Sequence, residues 1–165
     1  TVEVGGIADE EVQQSVYTQM RDIVTHRKRS TFEKSHGKNN FTLGEKDSTD
    51  AVDILVQGDS MGSNYKIRGL SICQVSRVMG RMAFVIDTHN SLETPEGSLA
   101  THYDAIFRNP QTDEIIKELE FEDSFEKIGD YYVMTKQVVR SKEQGQLTTT
   151  EFNYSHVKLL EPAVV

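Results

Sequence analysis

Near its C-terminal end the chain contains three runs of strand-forming residues joined by short connections. They cover residues 120–160 and are broken at Gly129-Asp130 and at a polar turn spanning 141–146. Glycine beside a polar residue marks a turn. In the last run Phe152 and Tyr154 alternate with polar residues, which is typical of a strand with one solvated face. The stretch therefore predicts a long antiparallel hairpin on which neighbouring strands can build.

An amphipathic helix is predicted well before these strands. Asp9 is a suitable N-cap, and apolar residues recur at helical spacing from Val12 to Val24. We expect a short second helix within 30–37. Residues 1–4 have the composition of a strand. Since this strand begins without an initiator methionine, we expect a processed or truncated chain.

From Phe41 onward, short segments with a two-residue period follow one another. They are separated by connections rich in Gly, Ser, Asn and Pro, of which one is expected to span 91–98. Short strands in such a series predict an antiparallel meander. We therefore expect an α+β fold: a curved, half-barrel-like antiparallel sheet of about seven to nine strands, with one long N-terminal amphipathic helix covering a face or filling the concave side.

Length and composition exclude several classes of protein. A chain of 165 residues is expected to form a single domain with its own core. The net charge of −8 argues against nucleic-acid partners. The single Cys73 excludes a disulfide framework and a multi-cysteine zinc site. The sequence has no apolar run near the roughly 20 residues that span a bilayer, so we expect no transmembrane segment.

Two patterns carry potential chemistry. Residues 58–62 match the G-x-S-x-G nucleophile motif, but they stand between two predicted strands, whereas that motif needs a strand followed by a helix. We interpret them as a hairpin loop. His102 and Asp104 share one side of a strand, and His89 lies at the end of the preceding strand. A metal or acid–base site is conceivable there, although cross-strand hydrogen bonding is the expected role.

Six segments, in order over nearly the whole chain, form a pattern: FEKSHGKN at 32–39, HYD at 102–104, FEDSFEK at 121–127, GDYY at 129–132, TTEF at 149–152 and LLEP at 159–162. This pattern resembles a domain family of unknown function associated with cyanobacteria and plastid-bearing eukaryotes. That family is similar in turn to the lipoprotein-carrier (LolA/LolB-like) superfamily, whose curved sheet shelters acyl chains. The resemblance implies a helix and strands upstream of Thr1 and a location in the cytoplasm or chloroplast stroma, including the thylakoid surface. It assigns no catalytic residue.

The leading functional hypothesis is a non-enzymatic binding domain for a hydrophobic or amphipathic small molecule, such as a lipid, isoprenoid or pigment. Apolar, adaptable side chains suit such a ligand, and the predicted lining is Met79, Met82, Phe84, Ile86, Tyr132 and Met134. We predict no catalytic residue, metal or cofactor. One alternative is an accessory or assembly subunit of a larger photosynthetic complex, which would bind its partner through an acidic face and edge strands. Another is an enzyme built on His89, His102 and Asp104.

Overall fold

The computed structural model describes residues 2–26, 30–58 and 63–158. The chain divides into two compact units, Thr1–Lys38 and Asn39–Val165, which are described separately. Within the described residues, neither helix is long and apolar enough to cross a bilayer. The serine of the G-x-S-x-G motif lies outside the described residues, so its interpretation as a hairpin loop stays a prediction.

The N-terminal unit contains two helices, α1 (Glu10–His26) and α2 (Phe32–His36). Both begin as the sequence predicts. The Asp9 carboxylate accepts hydrogen bonds from the backbone N–H groups of Glu11 and Val12 at 2.9 and 3.1 Å. The hydroxyl of Thr31 accepts one from the third residue of α2 at 3.2 Å. These caps satisfy N–H groups that have no partner inside a helix.

The strand predicted over residues 1–4 is wrong for the described residues 2–4, which form no strand. The carbonyl oxygen of Val4 accepts a hydrogen bond from the Gln13 side chain at 2.9 Å. A backbone group that in a strand would pair with a neighbouring strand is thus satisfied by a helix side chain. The expected packing of the first helix against the sheet stays a prediction.

The second unit is a single nine-stranded antiparallel sheet in which each strand pairs with the next along the chain. The strands are β1 Asn40–Lys46, β2 Val52–Gln57, β3 Ser63–Arg68, β4 Ser71–Met79, β5 Met82–Thr94, β6 Gly97–Arg108, β7 Ile115–Ile128, β8 Tyr131–Glu143 and β9 Gln146–Asn153. The sheet is open, with β1 and β9 at its edges. The predicted α+β meander is therefore confirmed. Irregularities in five of the strand pairs, β1–β2, β3–β4, β5–β6, β6–β7 and β7–β8, bend and twist strands locally.

Three predicted boundaries are wrong. The polar turn expected over 141–146 is reduced to Gln144 and Gly145, because β8 continues to Glu143 and β9 begins at Gln146. The connection expected over 91–98 is only two residues long, because β5 continues to Thr94 and β6 begins at Gly97. The last strand ends at Asn153 rather than near residue 160. One further backbone bond joins Tyr154 to β8, and the described residues after it are not strand.

Cross-strand partners sort the side chains onto two faces, because directly paired residues share a face. The first row runs through Ile54, Tyr65, Val75, Ile86, Ala105, Leu119 and Ser141. We call its side the apolar face. The adjacent row runs through Asp53, Lys66, Gln74, Asp87, Asp104, Glu120 and Arg140. We call its side the charged face.

Few of the described residues are fully buried. The buried apolar residues are Ala51, Ala105 and Met134, and the buried polar ones are Ser63, Asp123 and Gln137. Most side chains of the apolar face are half-buried. The described residues of the sheet unit form one layer, whereas a stable domain normally packs two layers around its core.

Candidate functional site

The six residues predicted to line a ligand site all lie on the apolar face. They are Met79, Met82, Phe84 and Ile86 on β4 and β5, and Tyr132 and Met134 on β8. Their exposure differs: Met134 is 8 % exposed and belongs to the core, whereas Met79 is 39 % exposed. A shared face is thus established by the register, but the six residues do not have one common role in packing.

The six residues form two groups at opposite ends of the face. Phe84 pairs with Phe107, and Phe107 pairs with Lys117 of β7. Met134 pairs with Phe125, farther along the same strand. Lys117 and Phe125 are eight steps apart, which corresponds to roughly 26 Å at about 3.3 Å per residue. A ligand that contacts both groups must therefore be at least about that long, whereas a shorter molecule contacts only one of them.

Aromatic rings of the apolar face extend from the group around Phe84 toward the group on β8. The ring centroids of Phe84 and Phe107 are 5.9 Å apart, and those of Tyr103 and Phe121 are 4.6 Å apart with nearly parallel planes. The Arg77 guanidinium lies 5.8 Å from the centroid of the Phe84 ring. Sequence reasoning missed Phe107, Tyr103 and Phe121. The two-residue period of β6 and β7 predicts which of their side chains share a face. Which rings lie beside one another depends on the register of the strands.

A buried polar pair interrupts the apolar face beside this aromatic group. The Gln137 amide donates to the Asp123 carboxylate at 2.8 Å, and the two residues are 1 % and 5 % exposed. The Tyr103 hydroxyl donates to the other carboxylate oxygen at 3.4 Å. Because β6, β7 and β8 each supply one of these side chains, the hydrogen bonds favour a single register of the three strands.

On the charged face, the histidine cluster anticipated from the sequence comes together. The His89 Nε2 lies 2.8 Å from an Asp104 carboxylate oxygen, and the His89 and His102 rings are 5.0 Å apart between centroids. An irregularity in β5 between Thr88 and Asn90 places His89 beside the middle of β6, where Asn90 pairs with His102. Bulges commonly redirect side chains in this way. The three predicted residues therefore converge.

The structure adds Glu120, which sequence reasoning did not assign to the cluster. Glu120 is the cross-strand partner of Asp104, and one of its carboxylate oxygens lies 3.1 Å from the Nε2 of His102. Single ligand atoms from His102, Asp104 and Glu120 all lie within 4.8 Å of one another. The only sequence signal was the acidic run in β7, and its alignment with His102 depends on the β6–β7 register.

Arg140 borders the cluster on its β8 side. Its guanidinium lies 3.3 Å from Glu120 and 2.8 Å from Glu122. Hydrogen bonding and charge attraction from Arg140 hold the pKa of Glu122 below its ordinary value, and Glu122 in turn raises the pKa of Arg140. An open cleft of about 470 Å³ lies over this region and is lined by His102, Asp104, Glu120 and Arg140 together with apolar residues including Leu147. Polar groups with a solvent-accessible cleft can bind an ion or a small polar ligand.

Comparison with known proteins gives one match. No curated protein and no solved structure is similar to the chain. The match is to a family described as "Protein of unknown function (DUF3386)", and it extends over residues 1–160. The similarity to lipoprotein carriers and the cyanobacterial or plastid origin stay predictions. Because the match covers nearly the whole sequence, the chain belongs to this family of proteins of unknown function.

Proposed function

We propose that this protein is a non-enzymatic binding domain that holds an amphipathic small molecule, a lipid, isoprenoid or pigment, against the apolar face of its sheet. The supporting observation is the sorting of side chains by face. All six residues predicted for ligand contact share the apolar face. The expected location stays the cytoplasm or chloroplast stroma beside thylakoid membranes, on the resemblance alone.

The hydrophobic effect supplies the driving force for this proposal. Covering apolar surface stabilises a complex by about 25 cal/mol per Å² removed from water. Phe84, Ile86 and Phe107 are each half-buried, so a hydrocarbon group laid over them still removes apolar surface from water. Met134 has little surface left to cover. We therefore centre the proposed contact region on the group around Phe84 and leave Met134 out of it.

Charged groups at the border of this region favour an amphipathic molecule over a pure hydrocarbon. Arg77 lies over the Phe84 ring. Lys117 is the cross-strand partner of Phe107 and forms an ion pair with Glu143 at 3.2 Å. A hydrocarbon part on the aromatic rings would leave a polar headgroup within the range of these cations. The expected ligand therefore carries an anionic or strongly polar end.

Neighbouring residues on β5 give a matched test. Phe84 faces the apolar side and Val85 faces the charged side, and both are half-buried. We would measure binding of a fluorescently labelled fatty acid to the native chain and to the Phe84→Ser and Val85→Ser variants. The expected result is an affinity reduced at least about tenfold, equal to about 1.4 kcal/mol, in Phe84→Ser alone.

Native mass spectrometry of the chain incubated with extracted membrane lipids provides the second measurement. A retained lipid that is lost in Phe84→Ser and kept in Val85→Ser supports the proposal. Equal binding by both variants, or no bound lipid in either assay, contradicts it. Circular dichroism of each variant separates lost binding from lost folding.

A second candidate function, an accessory subunit of a larger complex, is favoured by the β1 edge. All seven residues of β1 are exposed, and Leu43 is 68 % exposed. An exposed apolar edge strand is a common site for strand addition by a partner. Native gels of source extracts would test this candidate. Leu43→Glu should release the chain from a large assembly, whereas Thr42→Glu on the opposite face of β1 should not.

A further inference from the structure

We infer that the charged face carries a binding site for a divalent first-row transition-metal ion of the zinc type, formed by His102, Asp104 and Glu120 with His89 as a further ligand. This site is on the face opposite the proposed ligand surface. The inference is therefore independent of what covers the apolar face. The sequence analysis raised a metal or acid–base site at His89, His102 and Asp104 only as an alternative to cross-strand hydrogen bonding, and it predicted no metal.

The strand geometry places these ligands together without any special loop. His102 and Asp104 are two residues apart on β6, so their side chains lie on the same side of the sheet. Glu120 stands directly opposite Asp104 on β7. His89 comes from β5, on the other side of β6. Three neighbouring strands thus contribute to one point, and rigid elements hold binding groups more accurately than loops do.

The distances fit a metal shell after small side-chain rotations. In a tetrahedral site with bonds of about 2.1 Å, neighbouring ligand atoms are about 3.4 Å apart. The His102 Nε2 and Glu120 oxygen are 3.1 Å apart, and the His89 Nε2 and Asp104 oxygen are 2.8 Å apart. The widest separation among the ligand atoms of His102, Asp104 and Glu120 is within 4.8 Å. An ion between these atoms would replace the two histidine–carboxylate contacts with metal bonds.

The donor types select the class of ion. Imidazole nitrogens suit Zn²⁺, Cu²⁺, Fe²⁺ and Ni²⁺, whereas Ca²⁺ and Mg²⁺ prefer sites made only of oxygen ligands. Two imidazoles and two carboxylates therefore favour a transition metal. His102 and Glu120 have side chains that are 34 % and 39 % exposed, so a bound ion would keep access to water.

The surrounding charges favour a cation. Asp87 pairs directly with Asp104, and Glu118 and Glu122 flank Glu120 on β7. Arg140 and Lys142 offset part of this negative charge from β8. Arg140 contacts the Glu120 oxygen Oε2, which leaves Oε1 directed toward His102. A partner that orients a ligating carboxylate in this way is common around metal sites.

Isothermal titration of the chelator-treated native chain with Zn²⁺ at pH 7 tests the inference. The expected result is one saturable site that Mg²⁺ and Ca²⁺ do not occupy. His102→Ala and the nearly isosteric Glu120→Gln should each weaken the affinity at least about tenfold. His26→Ala, which removes an exposed histidine of α1, should leave it unchanged.

Cobalt(II) absorption provides a readout that a change in folding alone would not reproduce. A tetrahedral nitrogen and oxygen shell gives visible absorption bands with one equivalent of Co²⁺, and Zn²⁺ should displace them. Retention of these bands in His102→Ala and Glu120→Gln overturns the assignment. So does the absence of stoichiometric Zn²⁺ binding, because the cluster would then consist of histidine–carboxylate hydrogen bonds alone.

Discussion

The two faces of the sheet are built from alternate residues of the same strands, yet they are stabilised in different ways. On the charged face, side chains find partners across strands: Gln74 with Asp87, His102 with Glu120, and Arg140 with both Glu120 and Glu122. On the apolar face most side chains are half-buried, and the described residues of the sheet unit form a single layer. The polar groups of the charged face thus form hydrogen bonds and ion pairs with one another within one layer. The apolar face is stabilised further when another molecule or layer covers it.

This comparison can be tested because the chain offers similar residues in different surroundings. Two methionines of the predicted ligand lining differ in burial, and two glutamine–aspartate hydrogen bonds lie on opposite faces. Each pair keeps the chemistry constant and changes the environment. The resulting differences in stability report on the faces themselves.

The largest expected effect separates core from surface within the apolar face. Met134→Ala should lower the free energy of unfolding by about 3 kcal/mol, because truncating a buried methionine leaves a cavity. Met79→Ala should cost less than about 1 kcal/mol, since Met79 is already 39 % exposed. Urea denaturation measures both values. Similar losses in the two variants would mean that Met79 is buried in solution, and the proposed ligand surface would then be smaller.

The second prediction compares the two amide–carboxylate hydrogen bonds. Gln137 donates to Asp123 at 2.8 Å in a buried site, and Gln74 donates to Asp87 at 2.7 Å in a half-buried one. Gln137→Leu should cost about 2 kcal/mol, because the buried carboxylate loses a donor that water replaces poorly. Gln74→Leu should cost about 0.5 kcal/mol, since water reaches Asp87. Equal losses in urea denaturation would contradict the difference between the faces.

Sequence reasoning predicted the elements well where the hydrophobic period was clear, and less well where pairing alone defines a strand. The end of β5 reads Thr-His-Asn-Ser-Leu-Glu-Thr, a polar composition that predicted a connection over 91–98. These residues are nevertheless strand because β6 pairs with them up to Thr94. Conversely, residues 2–4 have strand-like composition but no strand partner among the described residues.

The candidate sites show the same limit. Alternation placed His102 and Asp104 on one side of β6, and this part of the prediction needed only the two-residue period. The position of Glu120 beside His102 depends on the β6–β7 register, which the local sequence does not determine. For the predicted ligand lining, the two-residue period likewise placed the residues on one face of the sheet, the apolar face. The distance between Phe84 and Met134 required the register of three strand pairs, β5–β6, β6–β7 and β7–β8.

The third prediction concerns acid pH and the Asp47 carboxylate, which anchors the β1–β2 connection. Hydrogen bonds from Thr49 and Lys66 hold the pKa of Asp47 far below its ordinary value. Since the folded-state pKa is depressed, its contribution is fully present above the ordinary value and is lost as the pH falls below it. Asp47→Asn should lower the urea midpoint most at pH 7, and this gap should narrow below about pH 4.

Asp53→Asn is the control for this pH profile. In the native chain the Asp53 carboxylate lies 3.8 Å from the same Lys66 ammonium, but it makes no hydrogen bond comparable to those of Asp47 with Thr49. We expect a smaller loss at pH 7 and less change with pH than for Asp47→Asn. A gap for Asp47→Asn that stays constant down to about pH 2 would show that the carboxylate charge contributes little and that the side chain acts through shape.

The smallest expected effect is on the charged face itself. Lys142 forms an ion pair with Glu118 at 2.9 Å, but its side chain is 63 % exposed. Lys142→Ala should change the free energy of unfolding by less than about 0.5 kcal/mol, because exposed pairs gain little and lose side-chain entropy. The change should vanish in 1 M NaCl, where charges are screened within about 3 Å. A loss above about 1 kcal/mol that persists in salt would show that the cross-strand pairs stabilise one another as a network, and the charged face would then contribute to folding as well as to ion binding.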